Sequence, residues 1–346
     1  MNIDVSFWNQ KKILITGHSG FKGVWLSVIL KSFGANVYGI SKKELYSEFY
    51  KYSNSKEIFN EEYFIDLGNP KPTELQDILR NNRFDLVFHL AAQSLVPEAY
   101  QNPLETLKVN ILGTYYFLMS CVENMTTKSI IVSTTDKVYK NPSLYNNEES
   151  SLGGHEFYSS SKVSQEMIIE AFKTYDKKIN ISIVRSGNVL GPGDGAKGRI
   201  VTDIMRALKS GKEIQLRQPL SIRPWQDILD SLQGYILVAQ KNYSQNESSI
   251  YNLNSELNNE INVKEIAEKF ISNWGGKTKV IELENKEFYE SKELRLDSSK
   301  AIKELGWKPS VEIDEIVEKI CNWERAETNE LKFDLIQDQI KNYFYI

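Results

Sequence analysis

Cysteine is almost missing from this chain, which has only Cys121 and Cys321. So sparse a set builds no disulfide framework and no metal-ligand cluster, so no metal is expected and a reducing cytoplasm fits. An excess of either charge is missing too. Across 346 residues, 42 Lys and Arg face 46 Asp and Glu, giving a net charge of −4 with the signs interspersed. That balance leaves no basic footprint for a nucleic acid. No apolar run approaches the roughly 20 residues of a membrane span. Met1-Asn2-Ile3-Asp4 opens without a basic region followed by an apolar stretch, so no secretory signal is expected. Repeats and low-complexity tracts are absent. What is present is an ordinary globular composition, 41% hydrophobic and 25% charged. The length suits one large α/β domain or two smaller ones.

Short β-rich runs alternate with helical patterns through the first half. Lys12–Thr16 is a compact apolar run. Phe21 to Phe33 reads as a helix, with Phe21, Trp25, Leu26, Ile29, Leu30 and Phe33 at helical spacing and Gly34 as its stop. Further strands are predicted at Asn36–Ile40, Tyr63–Ile65, Asp85–Leu90, Ser129–Ser133 and Ile181–Val184, with a late one at Ile250–Leu253. Their near-continuous apolarity predicts a parallel sheet covered on both faces, hence a Rossmann-type, doubly wound α/β fold. After Gly191, the breakers Pro192, Gly193, Gly195 and Gly198 change the texture. We therefore read residues 1–190, with 227–257 returning, as a dinucleotide-binding domain. Residues 191–226 and 258–346 read as a smaller C-terminal substrate-binding lobe. Helical patterns there include Ile313–Trp323, and the amphipathic tail Leu331–Phe344 suits packing or a subunit contact.

Thr16-Gly17-His18-Ser19-Gly20-Phe21-Lys22-Gly23 lies where a strand becomes a helix. Glycines there permit a tight turn and let backbone N–H groups approach a pyrophosphate at a helix N-terminus. Asp66, after the third strand, suits either an adenine amine or a turn. The second strand ends Gly39-Ile40-Ser41-Lys42-Lys43, without the carboxylate that usually holds the adenosine ribose diol. Two lysines there leave NAD and NADP both open.

Tyr158 and Lys162 are four residues apart, which on a helix places them on one face. A neighbouring ammonium favours phenolate, so this tyrosine is expected to take an alcohol proton while hydride leaves carbon. Thr134 or Thr135, at the end of the fifth strand, would orient the same hydroxyl. Asp136 and Lys137 follow directly, as a candidate acid for a leaving hydroxyl and a candidate base for an acidic C–H. The plain alternative for that pair is a loop ion pair.

These stretches resemble the extended short-chain dehydrogenase/reductases, and within them the nucleotide-sugar 4,6-dehydratases, closest to the branch acting on CDP-glucose. The resemblance runs from about Phe7 to Ala326. It is carried by the glycine loop, His89-Leu90-Ala91-Ala92-Gln93, Thr134-Thr135-Asp136-Lys137-Val138-Tyr139 and Leu152-Gly153-Gly154-His155 leading to Tyr158. Arg185-Ser186-Gly187-Asn188-Val189, Ile222-Arg223-Pro224-Trp225-Gln226 and Leu305-Gly306-Trp307 extend it.

The resemblance implies an order of events. Tyr158 deprotonates the 4-hydroxyl as hydride passes from C4 to NAD, Lys137 removes the C5 proton, Asp136 protonates the departing 6-hydroxyl, and hydride returns to C6. The product is a 4-keto-6-deoxy sugar, and the cofactor stays tightly bound and recycled. Thr135 holds the 4-hydroxyl and Lys162 the nicotinamide ribose. Gly17, Ser19, Gly20, Phe21, Gly23, Asp66, Leu67, Leu90, Ala91, Ala92 and Thr134 join Tyr158 and Lys162 around the cofactor. Gln93, Asn188, Arg199, Arg223 and Tyr289 are implied for a nucleotide-diphosphate sugar. A homodimer or homotetramer, paired near Tyr100–Glu123 and Tyr158–Thr174, is also implied.

Three departures fall on the substrate side. Pro97 and Glu98 stand where arginines are usual, Gly193-Asp194-Gly195 lacks the tryptophan usual after the aspartate, and Tyr289-Glu290 stands where histidine-glutamate is usual. An epimerase or ketoreductase on the same scaffold needs Tyr158 and Lys162 but not Asp136 and Lys137. A nucleotide-sensing module needs only the glycine loop.

Overall fold

The computed structural model describes residues 3–43, 46–124, 127, 129–256, 261–283 and 291–346. Its first six strands are β1 (Lys12–Thr16), β2 (Asn36–Ser41), β3 (Glu61–Phe64), β4 (Leu86–His89), β5 (Ser129–Thr135) and β6 (Asn180–Ser186). Five more follow among the described residues: β7 (Asn188–Leu190), β8 (Ile214–Leu216), β9 (Trp225–Asp227), β10 (Ile250–Leu253) and β11 (Val280–Glu282). Seven make one sheet in the order β10-β6-β5-β4-β1-β2-β3. Every pairing in it is parallel.

β1 shows why both faces are covered. Its Ile13 and Ile15 point into a core shared with the helix Phe21–Ser32, while Leu14 points into a second core with Leu79 and Phe117. From β1 the chain runs outward through β2 and β3, then crosses back to β4 on the other side. The order reverses between β1 and β4, and open α/β sheets bind ligands at the carboxyl ends of strands beside such a reversal.

β5 and β6 run further than their apolar stretches predict, to Thr135 and Ser186. The ladder continues because Thr134 pairs with Arg185 and Thr135 with Ser186. Glu166 satisfies the polar groups this buries: it accepts from Thr134 Oγ1 at 2.6 Å and from Arg185 Nη2 at 2.6 Å. β3 begins two residues earlier than expected, at Glu61. It is an edge strand of exposed and half-buried residues, so its pairing with Tyr38–Ser41 defines it and its apolarity does not.

The helix Phe157–Tyr175 starts at a sharp cap. Glu156 accepts from the backbone N–H groups of Tyr158 at 2.6 Å and Ser159 at 2.7 Å, and Ser159 Oγ accepts from Glu156 N–H at 3.1 Å. That reciprocal cap fixes Tyr158 in the first turn.

β7 pairs with β9 and β8 with β11 in two small sheets. Around them Ile204, Leu216, Trp225, Phe270 and Ile316 form a third core. The tail helix, Asn329–Phe344, packs within the chain: Ile336 and Ile340 enter the first core, and the Phe344 and Phe33 rings lie 5.2 Å apart. The Ser299–Leu305 helix also sends Ala301 and Leu305 into that core, so the described residues beyond 260 are divided between the first and third cores.

Arg185 and Glu166 are 2% and 3% exposed, so losing the charge of either leaves the other buried without its ion-pair partner. Glu166→Gln is therefore expected to destabilise the fold by about 3 kcal/mol. Urea unfolding measures this, and an unchanged midpoint would show that the pair carries no such burden.

Candidate active site

A cleft of about 2030 Å³ opens along the carboxyl edge of the sheet, under the lobe. Single small-molecule pockets are usually about 300–1,000 Å³, so there is room for two ligands. The glycine turn forms its floor. Gly17 has φ +76°, and a Cβ there would sit 2.8 Å from the backbone nitrogen of Ala91. A Cβ on Gly23 would sit 2.1 Å from the Gly17 carbonyl oxygen. Only glycine lets the turn, the helix start and the β4 end close on each other this tightly. The bare backbone that results is the cradle a pyrophosphate requires, so these residues fit a dinucleotide. Gly17, Gly20, Phe21 and Gly23 face the cleft, as do Leu67, Leu90, Ala91 and Ala92.

Ser19 does not present its side chain. It is fully buried, with Oγ 2.5 Å from Ser41 Oγ. Asp66 serves as the turn aspartate and more: Oδ1 accepts from Gly68 N–H at 3.0 Å, and Oδ2 lies 3.0 Å from Lys42 Nζ.

At the end of β5, Thr135 Oγ1 donates to Asp136 Oδ1 at 2.9 Å, and Lys137 Nζ donates to the same oxygen at 3.3 Å. Asp136 is only 3% exposed, yet its Oδ2 is buried without a hydrogen-bond partner among the described residues. Tyr158 is buried and hydrogen-bonded to Thr135. Burial pushes its phenol above the usual range, while the Thr135 bond acts the other way. Lys162 lies one turn along the same helix, as the four-residue spacing placed it. Its Nζ donates to Ser133 O at 3.0 Å and Gln165 Oε1 at 2.8 Å, and burial pushes its own amine down to about 7. Thr134 gives its hydroxyl to Glu166, leaving Thr135 as the threonine beside Tyr158.

On the substrate side, Arg199 is held by Asp194 Oδ2 at 2.7 Å and donates to Ser94 Oγ at 3.0 Å. Its charge is felt at Tyr158. Arg223 faces the cleft, with Nη1 donating to Ile222 O at 2.9 Å. Asn188 also faces the cleft. Gln93 lies there too, but its amide is engaged internally, donating to Thr106 Oγ1 at 2.8 Å and accepting from Leu95 N–H at 2.5 Å. Trp225 is fully buried and donates to Ile261 O at 2.8 Å, so it is core. Tyr289 lies outside the described residues.

Lys22 is the residue whose importance the sequence reading missed. It faces the cleft, with Nζ 3.4 Å from Tyr235 Oη, which in turn lies 2.6 Å from Ser133 Oγ. Burial pushes its amine down to about 7, helped by the charges of Arg199 and Lys162 and opposed by Asp136. The available signal was a lysine in the first turn of a helix, where the dipole disfavours a cation.

The GDP-mannose 4,6 dehydratase family profile matches residues 14–320. The chain belongs to this family. A CDP-glucose 4,6-dehydratase of Salmonella typhimurium is 34% identical over 343 residues, covering 94% of this chain and 93% of that protein. A dTDP-D-glucose 4,6-dehydratase of Dictyostelium discoideum is 28% identical, covering 76% of this chain and 62% of its own length. Among solved structures, a Bifidobacterium longum UDP-glucose 4-epimerase in complex with NAD+ and UDP superposes with a TM-score of 0.80 at 22% identity, covering 90% of this chain and 98% of that one. A Thermotoga maritima UDP-glucose 4-epimerase with UDP-glucose gives 0.79 at 21% identity, covering 91% and 98%. These two establish the fold of the family. Among the described residues no helix is long and apolar enough to cross a membrane.

A lysine whose amine is pushed down on folding binds fewer protons folded than unfolded, from about pH 7 to its ordinary value of 10.5. Its burden therefore grows as pH falls through that window. In cofactor-free protein, Lys22→Met is expected to gain thermal midpoint relative to the parent, more at pH 7 than at pH 9. A gain independent of pH would show that the Lys22 amine is not desolvated.

Proposed function

We propose that this family member is an NAD-dependent hydro-lyase that converts CDP-D-glucose to CDP-4-keto-6-deoxy-D-glucose and water. The observation that carries the reading is Asp136 Oδ2, buried without a partner at the mouth of a strand, with Lys137 and Tyr158 beside it. A buried carboxyl oxygen left unpaired is costly, and a substrate hydroxyl would satisfy it. An epimerase or ketoreductase has no use for a second acid–base pair there. The CDP-glucose assignment draws support from the Salmonella relative, which matches over nearly the full length of both chains.

In this reading NAD, held on the glycine cradle, supplies a hydride acceptor that later returns what it took. The chain's own groups move the protons. Tyr158, steered by Thr135, takes the proton of the sugar 4-hydroxyl. Once C4 is a ketone, the C5 proton is acidic, and Lys137 removes it. Asp136 gives a proton to the departing 6-hydroxyl. The order is forced, because C5 acidity arises only after oxidation. Lys162 orients the nicotinamide ribose, and Arg199 and Arg223 meet the diphosphate, where a guanidinium can hold two oxygens.

The same reading extends to assembly and place. Leu104, Leu112, Tyr115, Tyr116 and Met167 are exposed on the segments Pro103–Asn124 and Phe157–Tyr175, a face suited to pairing with a second copy. The enzyme would work in the cytoplasm.

Incubation with CDP-glucose and no added reductant should show loss of one water with no net change in cofactor. Water loss only from another nucleotide sugar would move the substrate and keep the mechanism. No reaction with any nucleotide sugar would sink the dehydratase reading. Lys137→Met should still bind cofactor but lose exchange of the C5 proton with solvent deuterium. Tyr158→Phe should lower turnover about 10²–10⁴-fold. Normal exchange in the first, or full turnover in the second, would remove that residue from its role.

A further inference from the structure

The end of β2 abuts the glycine turn. Thr16 pairs with Ile40, Gly17 N–H donates to Ile40 O at 2.7 Å, and the Ser19 and Ser41 hydroxyls meet. In dinucleotide folds this strand end meets the adenosine ribose: a carboxylate there accepts from a 2′-hydroxyl, whereas a cation welcomes a 2′-phosphate. Lys42 occupies it here, and taken alone would favour the phosphate. The structure does not leave Lys42 alone. Its Nζ lies 3.0 Å from Asp66 Oδ2 and 3.2 Å from Glu105 Oε1. Glu105 comes from the separate helix Pro103–Leu107, 63 residues away in sequence. Lys42, Asp66 and Glu105 all line the cleft, whereas Lys43 does not. One cation holding two carboxylates leaves a net charge of −1, which repels a phosphate of charge about −2. Without Glu105 the remaining Lys42–Asp66 pair would be neutral.

We infer that Glu105 is a specificity-determining residue for the cofactor: bridged by Lys42, it provides the negative charge that the end of β2 lacks, and so selects NAD over NADP. This rests on the reading of the cleft floor as a dinucleotide site. The groups are partly exposed, so the effect is moderate and salt-dependent.

The test is calorimetric titration of cofactor-stripped protein with NAD, NADP and adenosine 2′,5′-bisphosphate. The parent should prefer NAD. Glu105→Gln should narrow the NAD/NADP affinity ratio about fivefold and tighten the bisphosphate, with the change shrinking at high salt. Glu105→Lys should narrow the ratio further. A selective parent whose ratio is unmoved by Glu105→Gln overturns the assignment alone. So does a variant that weakens NAD and NADP equally, since that marks a structural role. A parent that takes NADP as readily as NAD overturns the NAD reading itself.

Discussion

The helix that carries Tyr158 is locked to the sheet by a buried carboxylate. Tyr158, Lys162 and Glu166 succeed one another at four-residue steps, so all three project from one face. Glu166 sits at the deep end of that row, bonded to Thr134 on β5 and to Arg185 on β6. Three bonds from Arg185 nitrogens to the two Glu166 oxygens, at 2.6 to 3.2 Å, leave the helix little freedom to slide or turn. The placement of Tyr158 beside Thr135 follows from that anchor. So does the extension of the β5–β6 ladder through polar residues, which delivers Thr135, Asp136 and Lys137 to the cleft.

The cleft built on this frame concentrates positive charge. Lys22, Lys162 and Arg199 are close enough for each amine or guanidinium to weigh on a neighbour, and burial disfavours both amines as cations. Arg199 is paired directly with Asp194, whereas Lys22 bonds to a phenol and Lys162 to a carbonyl and an amide, with Asp136 and Glu166 acting on the two amines through their charge. Such an arrangement is costly by itself and becomes favourable beside anions. Two diphosphate-bearing ligands would supply them. The low amine values and the size of the cleft are thus two views of one design.

Period and apolarity were legible where burial is two-sided. β1 and β10 appear with the residue limits read from the chain, and the glycine spacing marked the turn correctly, because a turn of this shape admits no other residue at Gly17 and Gly23. Legibility failed where polar groups are satisfied at long range. The ends of β5 and β6 look like loop residues until Glu166 is seen beneath them. Ser19 looks like a ligand contact until Ser41 is seen to take its hydroxyl. Lys42 reads as a solvated or phosphate-binding lysine until Glu105 arrives from a distant helix. In each case the deciding partner lies at least 19 residues away, beyond what local patterning reports.

The substrate-side departures can be weighed against how the cleft's two walls are joined. The segment that leads into the lobe is stapled to the dinucleotide side: Trp25 Nε1 donates to Pro192 O at 3.0 Å, and Phe49 N–H donates to Gly193 O at 3.0 Å. Ser47 N–H, two residues before Phe49, donates to Ser19 O at 2.9 Å in the glycine turn. One short stretch of chain thus touches both the cofactor cradle and the loop that carries Asp194 and Arg199. The tail helix backs it, with the Phe333 and Phe49 rings 6.1 Å apart. Pro97, Glu98 and Gly195 line the cleft, and Gly195 packs on this same stretch, since a Cβ there would sit 2.4 Å from Glu48 Cγ. The spacing between the glycine turn and the loop that carries Asp194 and Arg199 is therefore fixed by bonds to the carbonyl oxygens of Ser19, Pro192 and Gly193.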